Sequence, residues 1–194
     1  MSKRKSSVDR KKDILDKTLD IIFNQGFHSL TMRKIAEKVG ISEAAIYKHF
    51  NSKKEIIVTL VNNLFSENEF YKKIENQKDP YDALYKIMEK QFSYLDSRPE
   101  ITSIIFEEDI FREYPEIKSK FKKITDKRED ILTDFITSAQ KKKQINQEID
   151  PQSFALIYMG SIRISVLRWK NNDFSYSLKN QAKVIMGTLF QALK

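Results

Sequence analysis

Residues 31–50 read Thr31-Met32-Arg33-Lys34-Ile35-Ala36-Glu37-Lys38-Val39-Gly40-Ile41-Ser42-Glu43-Ala44-Ala45-Ile46-Tyr47-Lys48-His49-Phe50. Two short helices and a tight turn account for each position. Thr31 is a capping residue for a helix over 32–39, with Ile35, Ala36 and Val39 on one face. Gly40 stops it, because glycine takes a positive φ without steric penalty. Ser42 caps a second short helix over 43–50. This is a helix–turn–helix pattern. Ala36 must be small where the second helix crosses above it, and Ile46 points inward to lock the two together. Glu43, Ala44, Tyr47 and Lys48 then face outward. Small side chains at Ala44 and Ala45 let such a helix lie deep in a DNA major groove.

The rest of the chain fits an all-α protein. It has 194 residues, 40% of them hydrophobic, which is enough for a core. Four Gly and four Pro leave few turns to build. No Cys is present, which excludes a disulfide scaffold, thiolate metal sites and a Cys nucleophile, and suits a reducing cytoplasm. Two His, His28 and His49, are too few for a multi-histidine metal or catalytic centre. The longest uncharged runs, residues 21–32 and 151–162, are 12 residues each, well short of the roughly 18–20 of a membrane span. No apolar signal core follows the basic start. The charge is uneven: residues 1–55 hold 13 Lys/Arg against 7 Asp/Glu, six of the chain's eight excess positive charges. A basic first quarter on a near-neutral body points to a polyanion at that end, or to a merely solvated basic tail.

Outside the opening motif, helix starts are marked by caps and prolines. A first helix runs over 9–25 and ends at Gly26. Ser52-Lys53-Lys54-Glu55 is a capping box that opens a helix toward Asn76. Pro80, Pro99, Pro115 and Pro151 each occupy a first helical position, where a missing N–H costs nothing. Their helices reach about residues 96, 113, 143 and 170. A last helix starts at Asp173 or Ser175. The expectation is about nine helices and no strand, divided into a reader over 1–52 and a helical body over 53–194.

From Gly26-Phe27 to Glu55-Ile56 the sequence resembles the DNA-binding domain of the TetR/AcrR family of bacterial transcriptional regulators. The matching residues are Gly26, Leu30-Thr31, Arg33, Ile35-Ala36, Val39-Gly40-Ile41-Ser42, Ala45-Ile46-Tyr47, His49-Phe50 and Lys53-Lys54-Glu55. The resemblance covers about a quarter of the chain; beyond it only the architecture is similar. It implies a cytoplasmic homodimer that binds a palindromic operator and leaves it when a small molecule enters the body. It further implies that Thr31 and Arg33 touch phosphates, that Ser42, Glu43, Ala44 and Ala45 face base edges or phosphates, and that Tyr47, Lys48 and His49 bind phosphates. Tyr47 is also in a position to reach a thymine methyl, and Lys53 or Lys54 to clamp a phosphate at the next helix start. Glu43 either accepts from cytosine N4 or stabilises its own helix N-terminus. His49 is either a pH-sensitive phosphate contact or a neutral donor. The basic stretches Lys3-Arg4-Lys5 and Arg10-Lys11-Lys12 add DNA contacts or simply solubilise; His28 reads as a loop residue with no special role.

In the body, Gly160 and Gly187 fall inside the last two helices. Glycine there costs about 1 kcal/mol relative to alanine, so close helix–helix approach is expected. Phe154, Ile157, Gly160, Ser161, Ile162, Ser165, Ala182, Ile185, Thr188, Leu189 and Ala192 form a small and apolar set suited to a twofold contact between two chains. Packing within one chain is the alternative. The family resemblance implies a ligand cavity among the Pro99, Pro115 and Pro151 helices, with Phe92, Ile104, Ile105, Ile110, Phe111, Phe121, Phe135, Tyr158 and Arg163 as candidate lining. Such a lining suits a hydrophobic effector, with no cofactor or metal. Glu107-Glu108-Asp109 with Glu113 reads as a solvated face rather than a cation site. A ligand-independent or architectural DNA-binding regulator of the same fold is the nearest rival. A helical module using its basic end on an acidic protein is more distant. No nucleophile–base pair, phosphate loop or metal motif supports an enzyme.

Overall fold

The computed structural model describes residues 6–66, 71 and 79–193. Among the described residues there are ten α-helices and no strand. They are α1 (Ser7–Gln25), α2 (Met32–Val39), α3 (Glu43–Tyr47), α4 (Lys53–Ser66), α5 (Pro80–Ser97), α6 (Thr102–Ile105), α7 (Glu108–Glu113), α8 (Pro115–Lys141), α9 (Pro151–Asn171) and α10 (Gln181–Leu193). Short 3-10 turns cover Phe27–Ser29 and Pro99–Ile101. The expected continuation of α4 toward Asn76, and the basic stretch Lys3-Arg4-Lys5, lie outside the described residues.

The chain forms two compact units that do not follow chain order. The first combines Met1–Asn68 with Glu100–Lys118, and the second Glu69–Pro99 with Ser119–Lys194. In the first unit α1 packs on α2, α4 and α6, and α2 packs on α3. Ile14, Leu19, Ile22, Phe27, Ile35, Ala36, Ile46, Phe50, Ile56 and Leu60 are buried. Fully burying one such aliphatic or aromatic side chain stabilises by roughly 1.5–3 kcal/mol. In the second unit α10 packs on α5 and α9. Leu84, Met88, Phe92, Leu132, Ile136, Tyr158, Val166 and Met186 are buried there.

Helix starts follow the expected capping chemistry. Ser6, Thr31, Ser42 and Ser52 each accept the N–H three residues on, at 3.1, 3.1, 3.2 and 3.1 Å. Glu55 Oε2 reaches back to the Asn51 N–H at 2.7 Å, one residue earlier than a strict capping box. Asp79 and Asp150 cap the helices that Pro80 and Pro151 open. Gly26 and Gly40 have φ of 80° and 75°.

Three expected boundaries move, each for a visible reason. The helix expected from Pro99 to about residue 113 is broken at Phe106 and Glu107, because the Glu107 side chain turns to cap α7 at the Asp109 N–H, 3.4 Å away. Three consecutive acids suit a helix N-terminus better than a helix middle. The second motif helix stops at Tyr47 instead of Phe50, its last turn tightening as the N–H groups of both His49 and Phe50 converge on the Ile46 carbonyl at 2.8 and 3.0 Å. The final helix starts at Gln181, because Asp173 and Phe174 take positive φ of 50° and 57°. Asp96 then holds the following loop, accepting from the Ser177 hydroxyl and from the Leu178 and Lys179 N–H groups at 2.8, 2.7 and 2.9 Å.

Gly40 is the sharpest local test of the motif. Its N–H bonds to the Ala36 and Glu37 carbonyls at 2.9 and 3.2 Å, and Ile41 N–H bonds Ala36 again at 3.1 Å. Gly40→Ala forces a Cβ into left-handed backbone and is expected to cost about 1–2 kcal/mol. A lowered midpoint in thermal unfolding followed by circular dichroism checks it.

Candidate nucleic-acid interface

The first unit positions the sequence-predicted reader residues in two ways. Thr31, Arg33, Ser42, Glu43, Ala44, Tyr47, Lys48 and Lys54 are exposed, and Ala45, His49 and Lys53 half-buried. Tyr47 stands out, because 50% of its surface is open although it is a large aromatic. Ile46, its neighbour, is fully buried. α3 therefore has one face sealed on α2 and one face free. The Thr31 and Ser42 oxygens accept from their own helices, which leaves each hydroxyl proton available to an outside acceptor. Arg33 Nε lies 3.4 Å from Glu37, and Lys48 has no ion-pair partner among the described residues. His49 Nδ1 is buried without a hydrogen-bond partner. Arg10 pairs with Asp13 at 3.3 Å, and Lys11 sits 5.3 Å from the Phe50 ring centroid.

Lys53 and Lys54 are engaged differently. Lys53 Nζ lies 3.5 Å from Glu113 and 5.1 Å from the centre of the Phe27 ring. Lys54 Nζ lies 2.7 Å from Glu116, and its hydrogen bond holds the Glu116 carboxyl below the usual carboxylate range. Glu113 also accepts from the Tyr114 hydroxyl at 2.6 Å. Burial, followed by the bond to Glu113, pushes the Tyr114 phenol well above its ordinary range, so it stays a donor. The Tyr114 ring meets the buried Phe27 edge-on at 6.2 Å. His28 Nε2 is 2.6 Å from Asp109 Oδ2, whose other oxygen is 3.0 Å from Arg112.

Asp109, Glu113 and Glu116 thus form an acidic strip against His28, Lys53 and Lys54. Sequence reading treats the acids as a solvated face and gives His28 no role; the structure pairs both. Half the signal was present in the acid-rich 107–116 stretch. Its partners lie far away in sequence, 81 residues in the case of His28 and Asp109. No group of three or more His, Cys, Asp or Glu among the described residues is arranged to hold a metal ion.

The candidate ligand residues fall in both units. Ile104 and Ile110 are buried and Ile105 and Phe111 half-buried in the first; Phe92, Phe135 and Tyr158 are buried, Phe121 half-buried and Arg163 exposed in the second. A groove of about 280 Å³ in the second unit is lined by Pro80, Asp134, Phe135, Ser138, Ala139, Lys142 and Gln144, and Phe135 is the one candidate on it. On α9 and α10, Phe154, Ile162 and Ala182 turn into the chain's own core. Gly160, Ser161, Ser165, Ile185 and Leu189 are half-buried, and Ile157 and Thr188 exposed. Leu156, Ile157, Ile164 and Val184 are 64%, 57%, 62% and 66% exposed. A Cβ added at Gly160 or Gly187 meets nothing within 4 Å, so packing within this chain requires glycine at neither. The side chain of Ala192 lies outside the described residues. No described helix is long and apolar enough to cross a membrane.

A helix–turn–helix with one free face, carried by an otherwise helical chain, defines the class of helical DNA-binding regulators. The family model for bacterial regulatory proteins of the tetR family matches residues 14–60, and that for the YsiA-like protein C-terminal region matches residues 58–192. The chain belongs to the TetR family of transcriptional regulators, whose members bind DNA and are not enzymes. It is 23% identical over 174 residues to the nucleoid occlusion factor SlmA of Vibrio cholerae, covering 87% of this chain and 88% of that one. It is 23% identical over 167 residues to the fatty acid metabolism regulator protein of Bacillus subtilis, covering 85% and 86%. Among solved structures, the fatty acid degradation regulator FadR from Bacillus halodurans superposes with a TM-score of 0.79 at 21% identity over 99% of both chains. The regulator FadR from Bacillus subtilis in complex with stearoyl-CoA superposes with a TM-score of 0.75 at 22% identity, over 92% of this chain and 96% of that one.

The acidic strip generates a quantitative expectation. Glu113→Gln combined with Glu116→Gln frees two lysines for phosphates. The salt dependence of binding to duplex DNA should then steepen by about 0.9 in log–log slope for each lysine recruited. Titrations at several salt concentrations check this, and an unchanged slope removes Lys53 and Lys54 from the contact set.

Proposed function

We propose that this regulator is a ligand-responsive repressor that binds a palindromic operator as a homodimer and is released by a hydrophobic small molecule. The observation that carries the DNA reading is the free face of α3, with Tyr47 half open beside Ala44 and Lys48. Under this reading residues 1–52 read DNA and 53–194 bind ligand and partner chain. Ser42, Ala44, Ala45 and Tyr47 approach bases, and Thr31, Arg33, Lys48, His49, Lys53 and Lys54 approach phosphates. Glu43 accepts from cytosine N4 or stabilises its own helix. Phosphate contacts supply position and affinity, and base-edge contacts supply sequence preference.

The dimer is supported by the open apolar residues of α9 and α10 and by two helical glycines that the chain's own packing does not need. Leu156, Ile164 and Val184 join Ile157, Gly160, Ser161, Ser165, Ile185, Thr188 and Leu189 as contact candidates. Phe154, Ile162 and Ala182 support that surface from behind. The effector class draws support from the fatty acid metabolism regulator and the stearoyl-CoA complex among the similar proteins, which make long acyl chains the first ligands to test. Such a ligand acts only if it binds the DNA-competent and DNA-incompetent states unequally. A ligand-independent DNA-binding regulator is the second reading, favoured by equal identity to a nucleoid occlusion factor. Operator binding that no acyl ligand alters selects it.

Tyr47→Ala is expected to weaken operator binding by about 1–3 kcal/mol, and Lys48→Ala to lower the salt slope by about 1, with folding intact in both. Gel-shift and fluorescence-anisotropy titrations measure these. Ile164→Glu, at an exposed position, is expected to leave helicity unchanged and convert the dimer to monomer in sedimentation velocity.

A further inference from the structure

The interior of the second unit holds a group of hydrogen-bond donors with too few acceptors. Arg128, on α8, is half-buried with its guanidinium 5.6 Å from the Tyr71 ring centroid. Among the described residues no carboxylate pairs with it. Tyr71 is buried, and its hydroxyl oxygen accepts from Gln91 Nε2, on α5, at 2.9 Å. Burial raises the Tyr71 phenol above its ordinary range, so its proton stays on and needs an acceptor. Tyr158, on α9, is also fully buried, but spends its proton on the Leu84 carbonyl at 2.7 Å. Burial likewise disfavours the charged form of Arg128, an effect that the Tyr71 hydroxyl opposes. A guanidinium carries five N–H donors and no acceptor. A cation withdrawn from water without a counter-charge is a standing cost.

We propose that Arg128, with the Tyr71 hydroxyl and Gln91 beside it, binds the oxyanion headgroup of an amphipathic ligand, a carboxylate or phosphate carried on an apolar chain. The guanidinium fork matches either group in two parallel hydrogen bonds, the Tyr71 proton supplies a third, and Gln91 fixes the phenol. The apolar chain is left to the surrounding Phe, Ile and Leu side chains of the unit. This deepens the effector reading above and rests on it: it adds a sign of charge and an anchor to what was only hydrophobic.

The test uses the full chain, with laurate, dodecyl phosphate and dodecanol as matched probes in calorimetric titrations. The unsubstituted protein should bind both anions at least tenfold more tightly than the alcohol; the stronger of the two identifies the headgroup. Arg128→Met removes the charge while keeping much of the side-chain volume. It should abolish that preference, leave dodecanol affinity within twofold, and keep or raise the thermal midpoint of the ligand-free chain. Arg128→Lys should restore part of the preference, and Tyr71→Phe should lose a lesser part. Equal binding of anion and alcohol by the unsubstituted protein, or an undiminished preference in Arg128→Met, overturns the proposal. If none of the three amphiphiles binds, the effector reading falls, and acetate and inorganic phosphate test the anchor alone. A rise in thermal midpoint that Arg128→Met lacks supports it, and equal or absent rises overturn it.

Discussion

Gly40 turns with φ of 75°, and the free face of α3 depends on that turn. Left-handed backbone there lets Gly40 and Ile41 both close on α2 through the Ala36 carbonyl. The chain then redirects within two residues, and Ser42 starts α3. Ile46 enters the core and Tyr47, one position on, is left open. A side chain at position 40 would strain the turn, and a large one at Ala36 would fill the space beside the crossing. The reader is thus a consequence of backbone geometry first and of polar side chains second.

A second constraint ties this reader to residues 100–118. Asp109, Glu113 and Glu116 pair with His28, Lys53 and Lys54, and Phe27 meets Tyr114 edge-on. Exposed pairs of this kind contribute little stability, about 0–1 kcal/mol each. Their value lies in geometry, because they hold the start of α4 against a stretch that leads, through Pro99 and Ser119, into the second unit's sequence. The same lysines cannot give full charge to carboxylates and to phosphates at once. An acidic strip of this kind sets a threshold that DNA must exceed, and any displacement of α7 lowers it.

Local signals in the sequence carried most of the helical architecture. Thr31, Ser42, Ser52, Pro80 and Pro151 mark helix starts because capping is satisfied within three residues of chain. Gly26 and Gly40 mark helix ends because positive φ is a property of one residue. The acidic strip was not legible in the same way. Asp109 looks like one more solvated acid until His28, 81 residues earlier, is folded beside it. The start of the last helix was misplaced for the same reason, since Asp96 holds residues 177–179 as a loop from more than 80 positions away. Arg128 stands in a helix crowded with lysines, and nothing in its neighbours distinguishes a solvated cation from one set over Tyr71. Gly160 and Gly187 were legible as exceptions, and the open space around them bears on the choice between packing within the chain and contact with a second copy.

The most direct measurement uses the absence of cysteine from the chain. Ala44→Cys places a single thiol on the open face of α3, where a tethered iron chelate cleaves whatever DNA lies beside it. The account predicts two clusters of cuts on duplex DNA carrying the operator, facing the same side and separated by about one helical turn or somewhat more. Bound DNA that stays uncut, or cutting at a single cluster without a twofold mate, contradicts the central claim that paired copies of this face enter successive grooves.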